Sequence, residues 1–197
     1  MEQSKDEQLI AEIERLRDSS RADYNTAYDL AEANRHKNEI FEALFQTFLL
    51  FSSEEGAKAV EFLQSRTQLQ FVAAHLGYSF TYKGDFAQGI PLLQQAASAG
   101  HRFAQYALAI IHYKGDNVPK DVQRAVVMLE ELAALKFLPA VYSLGVHLYK
   151  PPSEAKGDVK GLNLIRAAAR AEYPDAMKTL PALEKSAIMW GVAATSY

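Results

Sequence analysis

The apolar positions of this chain first run at helical spacing and then begin to repeat. Through residue 70 there is no proline and the only glycine is Gly56, while Ala, Glu, Leu and Arg abound, so the first third predicts helix. Ser4 with Glu7 forms a capping-box pair, and Leu9, Ile13 and Leu16 make a narrow stripe joined by Ile10. Ser19 and Ser20 interrupt the stripe, and the face resumes as Tyr24, Ala27, Tyr28 and Ala31; propensity alone leaves open one helix or two. Ile40, Phe41, Leu44, Phe45, Phe48, Leu49 and Phe51 are apolar around most of a helix, a surface that has to be covered on several sides. Ser52 and Glu55 then open a helix through Val60, Phe62 and Leu63.

From Thr67 a larger period takes over. Ala104, Ala140 and Ala176 stand 36 residues apart, as do Leu108, Leu144 and Leu180, and Ala97, Ala133 and Ala169. Self-similarity at such a period predicts stacked supersecondary units, each burying its apolar face only against a neighbour. The first unit is a helix marked by Leu69, Val72, Ala73, Leu76 and Phe80, a glycine stop at Gly84-Asp85, and a return helix over 87–99. Pro91 falls inside that return helix, which admits a start nearer Ile90. Helices over 102–114 and 121–135, then over 139–149 and 159–171, form the next hairpins, each pair joined by Gly- and Pro-bearing turns. Small residues such as Ala109 and Gly145 fall where a neighbouring helix has to come close, and the leucines fill the grooves between helices. Pro181 should stop the following helix early, leaving a cap closed by Ile188 and Trp190.

Two stretches carry a resemblance. Leu76-Gly77-x-x-Phe80-x-x-x-Gly84-Asp85-Phe86, with Leu93 and Ala96, looks like a tetratricopeptide repeat. Residues 96–105, then Tyr113-Lys114-Gly115, Pro119-Lys120-Asp121, Arg124-Ala125 and Ala133-Ala134, resemble the longer SEL-one-like repeat, as does the copy from Leu144-Gly145 to Ala176. Ala109 departs from the family glycine, and Pro181 stands where the next would fall. The resemblance covers residues 70–180 and implies an all-α fold: an alpha-alpha superhelix, or right-handed solenoid, of stacked helical hairpins. The expected layout is an N-terminal helical segment over 1–35 and a repeat domain over 36–197. That domain comprises a degenerate hairpin at 36–66, hairpins at 67–100, 101–136 and 137–172, and a cap at 173–197.

Composition narrows the function classes. The chain is 49% hydrophobic and 23% charged, which is ordinary for a folded protein. A formal charge of −3 argues against binding nucleic acid through phosphate contacts. Residues 1–70 hold 14 acids and 8 bases, and residues 71–197 hold 10 and 13, so the two parts differ in sign. With no cysteine there is no disulfide framework, thiol nucleophile or thiolate metal site. The start is polar and lacks a basic segment followed by an apolar run, and the greasiest stretch, 40–51, is too short to span a bilayer. The expected setting is cytoplasmic, without membrane insertion.

Catalytic and cofactor motifs are absent: no phosphate loop, no zinc-protease helix, no calcium loop and no nucleophile elbow. Ser143 and His147 are one helical turn apart but have no orienting acid in the sequence around them. His75, His101, His112 and His147 occupy four different places in the hairpins. The expectation is a non-enzyme with no metal and no cofactor.

One pattern is not needed for stacking. Tyr106, Ile110, Tyr113 and Lys114 form a stripe that recurs as Tyr142, Val146, Tyr149 and Lys150, with Tyr78 and Tyr82 as a related pair in the first hairpin. At about 100° per residue, Tyr106 lies nearly opposite Leu108, so this is a different face from the leucine seam. The resemblance implies that such first helices line a concave surface. Tyrosine, with an apolar body and a polar tip, is a common interface anchor. The leading expectation is an adaptor that binds a protein or peptide partner there, with the lysines favouring acidic partners. A rival is an inhibitor or immunity-type protein that blocks an enzyme, using acidic residues 1–35. A third is a homo-oligomer paired through residues 4–34, for which the apolar stripe is short.

Overall fold

The computed structural model describes residues 54–65, 70–149 and 159–189. They form helices α1 (Glu54–Gln64), α2 (Gln70–Tyr82), α3 (Phe86–Ser98), α4 (Arg102–Lys114), α5 (Val122–Ala134), α6 (Leu138–Leu148), α7 (Lys160–Arg170) and α8 (Pro174–Met189), with no strand among the described residues. These bounds match the expected hairpin helices to within a residue or two at each end. Contacts group the described residues into two compact units, one through Met128 and one from Leu129 onward. The segment 1–35, the first helix of the 36–66 hairpin, Lys150, the Pro151-Pro152 turn and Trp190 lie outside the described residues.

In the first unit each helix packs on the next, α1 on α2, α2 on α3, and α3 on α4, with α4 also touching α2. The core is built from small and branched residues: Ala73 and Ala74 of α2, Leu93 and Ala96 of α3, and Ala104, Ala107, Leu108 and Ile111 of α4. In the second unit α6 packs on α7 and α7 on α8. Its core joins Val141, Ile165, Ala168 and Ala176, with Leu180 and Leu183 packed against it. The alanines at the 36-residue interval, Ala104, Ala140 and Ala176, are all fully buried. That is the outcome the repeat spacing predicts.

Where paired helices cross, the side chains give way to backbone. A β-carbon on Gly77 of α2 would lie 2.9 Å from the Gly89 carbonyl oxygen of α3 and 2.8 Å from the Leu93 nitrogen. In the second unit a β-carbon on Gly145 of α6 would meet the Ile165 side chain at 2.8 Å and the Gly161 carbonyl oxygen at 3.1 Å. Ala109 and Ala125 stand 36 residues before Gly145 and Gly161 and are likewise fully buried.

The turns that follow α3, α5 and α7 repeat in detail. Gly100, Lys136 and Glu172, again 36 apart, all have left-handed backbones, with φ of +90°, +58° and +60°. Their N–H groups donate to Ala97, Ala133 and Ala169 at 2.9 Å in each case. The next N–H groups, of His101, Phe137 and Tyr173, reach back to Ala96, Leu132 and Ala168 at 3.0 Å. This double closure satisfies the last carbonyls of each helix and aims the chain into the next one.

Of the two expectations about proline, the helix running through Pro91 holds and the stop at Pro181 is corrected. The helix containing Pro91 starts at Phe86 and not nearer Ile90, because Asp85 caps it: its carboxylate accepts from the Gln88 N–H at 3.2 Å and from Gln88 Nε2 at 2.7 Å. Nor does Pro181 end its helix, since α8 continues to Met189. Each proline removes one helical hydrogen bond and sits exposed, while Leu93 and Ala96 after Pro91, and Leu183 and Ala187 after Pro181, are drawn toward their cores. Burial on the inner face outweighs the local cost.

Candidate binding face

Phe103 is the side chain that ties the first unit's tyrosines together. It is the second residue of α4, and its ring meets Tyr78 of α2 edge-on, with centroids 5.1 Å apart. Tyr78 stacks in turn on Tyr82 one helical turn later at 6.2 Å, and Phe103 tilts against Tyr106 at 6.5 Å. These four rings form a continuous run across two helices. Sequence reasoning chose three of them and missed Phe103, although it precedes Tyr106 by three residues and therefore shares its face.

Exposure grades along this run. Tyr78 and Tyr106 are half-buried, and Tyr78 also packs against the alanine-rich core. Tyr82 is 71% exposed, the most open of the large apolar side chains among the described residues. Ile110 and Tyr113 continue along α4 as half-buried residues, and Lys114 ends the helix exposed. Gly115 then stops the helix with a left-handed backbone, its N–H donating to the Ile111 carbonyl at 2.9 Å.

In the second unit the corresponding tyrosines serve packing. The hydroxyl of Tyr142 bonds Thr179 Oγ1 of α8 at 2.8 Å, and its ring lies 5.6 Å from that of Tyr173. Thr179 Oγ1 itself donates to the Asp175 carbonyl at 2.7 Å, so the Tyr142 hydroxyl is the donor in the first bond. Tyr149 packs against the same core as Tyr142. Val146 between them is 48% exposed. The two copies of the stripe thus share a sequence pattern and differ in what their rings touch.

Charge and titration add little chemistry. Among the described residues no three His, Cys, Asp or Glu side chains converge as a metal site would require. Ser143 and His147 are half-buried, a turn apart on α6. His112 near the end of α4 has its pKa lowered, first by burial and then by the Arg124 guanidinium, with Asp121 pulling the other way. Its Nδ1 is buried without a hydrogen-bond partner, and its carbonyl accepts the Asp121 N–H at 2.9 Å. Burial and Arg124 thus favour the neutral imidazole at the base of the turn into α5. No described helix is long and apolar enough to cross a membrane.

In comparisons with known proteins, no family model matches this chain and no curated protein matches it.

Proposed function

We propose that this chain is a solenoid of SEL-one-like repeats that works as a protein–protein interaction adaptor, and that the first unit carries its binding face. The observation that supports it is the ring run Tyr82–Tyr78–Phe103–Tyr106, anchored in the core at Tyr78 and open to solvent at Tyr82. A core needs no tyrosine with most of its surface in water. A rigid aromatic platform with a wet edge is what partner recognition uses, because little side-chain entropy is lost when it is covered. The repeated small residues and helix closures account for the frame, and they support the repeat reading independently of the face.

Photo-crosslinking from the face tests this reading. A benzophenone amino acid placed at position 82, and separately at exposed Val127 on α5, should behave differently in the protein's native cells. Position 82 should give a discrete heavier adduct and position 127 should not. No adduct at position 82, or the same adducts from both positions, would overturn the proposal.

A further inference from the structure

Resting on the adaptor reading, we infer that the occupant of the α2–α4 face is an acidic linear peptide that presents an aromatic side chain to Tyr82. The first support is the charge of the face. Neither α2 nor α4 contains a single Asp or Glu, so a basic partner would find no carboxylate on either helix. Lys83 and Arg102, both exposed, adjoin Tyr82 and Phe103 in sequence, and exposed Lys114 ends α4. Asp85, three residues past Tyr82, is occupied as the cap of α3, where it accepts from Gln88 Nε2 at 2.7 Å, and Asp116 follows the end of α4 by two residues. By contrast α5 carries Glu130 and Glu131, both exposed. The carboxylates are thus kept off the helices that carry the rings. Such a distribution steers acidic partners toward the face and penalises basic ones.

The second support is the way the rings are arranged. Tyr82 has Tyr78 stacked at 6.2 Å on one side and remains 71% exposed, so another ring can be added to the run at the same spacing. Aromatic pairs favour centroid distances of about 4.5–7 Å, the range the existing three contacts occupy. An aromatic anchor would extend the ladder, and flanking acids would lie within reach of long cationic side chains.

Selection from an unbiased random-peptide display library on the full-length protein tests the inference, with Tyr82→Ala and Arg102→Glu as comparison baits. Glutamate at the first position of α4 suits the helix dipole, so Arg102→Glu reverses charge without weakening the helix. The expected result is enrichment of acid-rich peptides with a shared aromatic position. A synthetic copy of such a peptide should bind each variant on the order of tenfold more weakly than the parent and should weaken with added salt. Enriched peptides that are neutral or basic, yet still lost with Tyr82→Ala, would overturn the acidic assignment and leave the adaptor reading standing. No enrichment, or binding indifferent to Tyr82→Ala, would remove both.

Discussion

Gly77 and Gly89 face each other across α2 and α3 so closely that a β-carbon on either would lie within 3 Å of the other's carbonyl oxygen. The two carbonyl oxygens are backbone and cannot swing aside as a side chain could, and a β-carbon on Gly89 would also meet Thr81 Cγ2 at 2.5 Å. Gly89→Ala should therefore destabilise the protein by about 1–3 kcal/mol through overpacking, and Gly77→Ala, which also meets the Leu93 nitrogen, by a similar amount. Chemical denaturation of the two variants checks this. Midpoints equal to the parent's would mean that the helices do not approach at these glycines.

The closures at Gly100, Lys136 and Glu172 share one backbone shape, but only one of the three residues suits it. A left-handed conformation costs a residue with a β-carbon about 1–2 kcal/mol, and glycine gives back part of that through its freer unfolded chain. Lys136→Gly and Glu172→Gly should each stabilise the protein by about 0.5–1 kcal/mol, and Gly100→Ala should destabilise it by about 1 kcal/mol. Thermal melts of the three variants should shift in these opposite directions.

The helices and their buried face were legible because stacking imposes the same requirement at every copy: Ala104, Ala140 and Ala176 have to be small, and all are buried. Gly145 was legible as a close-approach site for the same reason. The closures at Lys136 and Glu172 were hidden, since tertiary packing places ordinary residues where local preference favours glycine. Pro181 misled because its local penalty of about 3 kcal/mol competes with burial contributed by the whole helix. The binding face was half legible. Spacing found the tyrosines, but which ring meets Phe103 and which hydroxyl meets Thr179 depends on contacts between helices that periodicity does not encode.

Tyr142 and Tyr82 should separate when each is altered. Tyr142→Phe deletes the donor to Thr179 Oγ1 in a partly buried setting and should cost about 0.5–1.5 kcal/mol. Tyr82→Ala removes a mostly exposed ring and should change stability by no more than about 0.5 kcal/mol, while weakening the binding of the selected peptides described above. Urea midpoints measured on both variants decide the matter. A large loss from Tyr82→Ala would make that ring a structural element and not a binding one.

Acid should act on the turn between α4 and α5. The folded-state pKa of His112 lies below its ordinary value of 6.5, so in the interval between the two the unfolded chain binds more proton than the folded one. Stability then rises with pH across that interval and flattens above it; equivalently, it is lost as pH falls through 6.5 toward the lowered value. The charged imidazole would have to sit beside Arg124 with Nδ1 buried away from any acceptor, and Asp121 offsets only part of that cost. His112→Gln removes the titration while keeping a polar side chain of similar size. Denaturation midpoints at pH 5 and pH 8 should differ more for the parent than for His112→Gln. Equal differences would show that the acid sensitivity, if any, originates elsewhere in the chain.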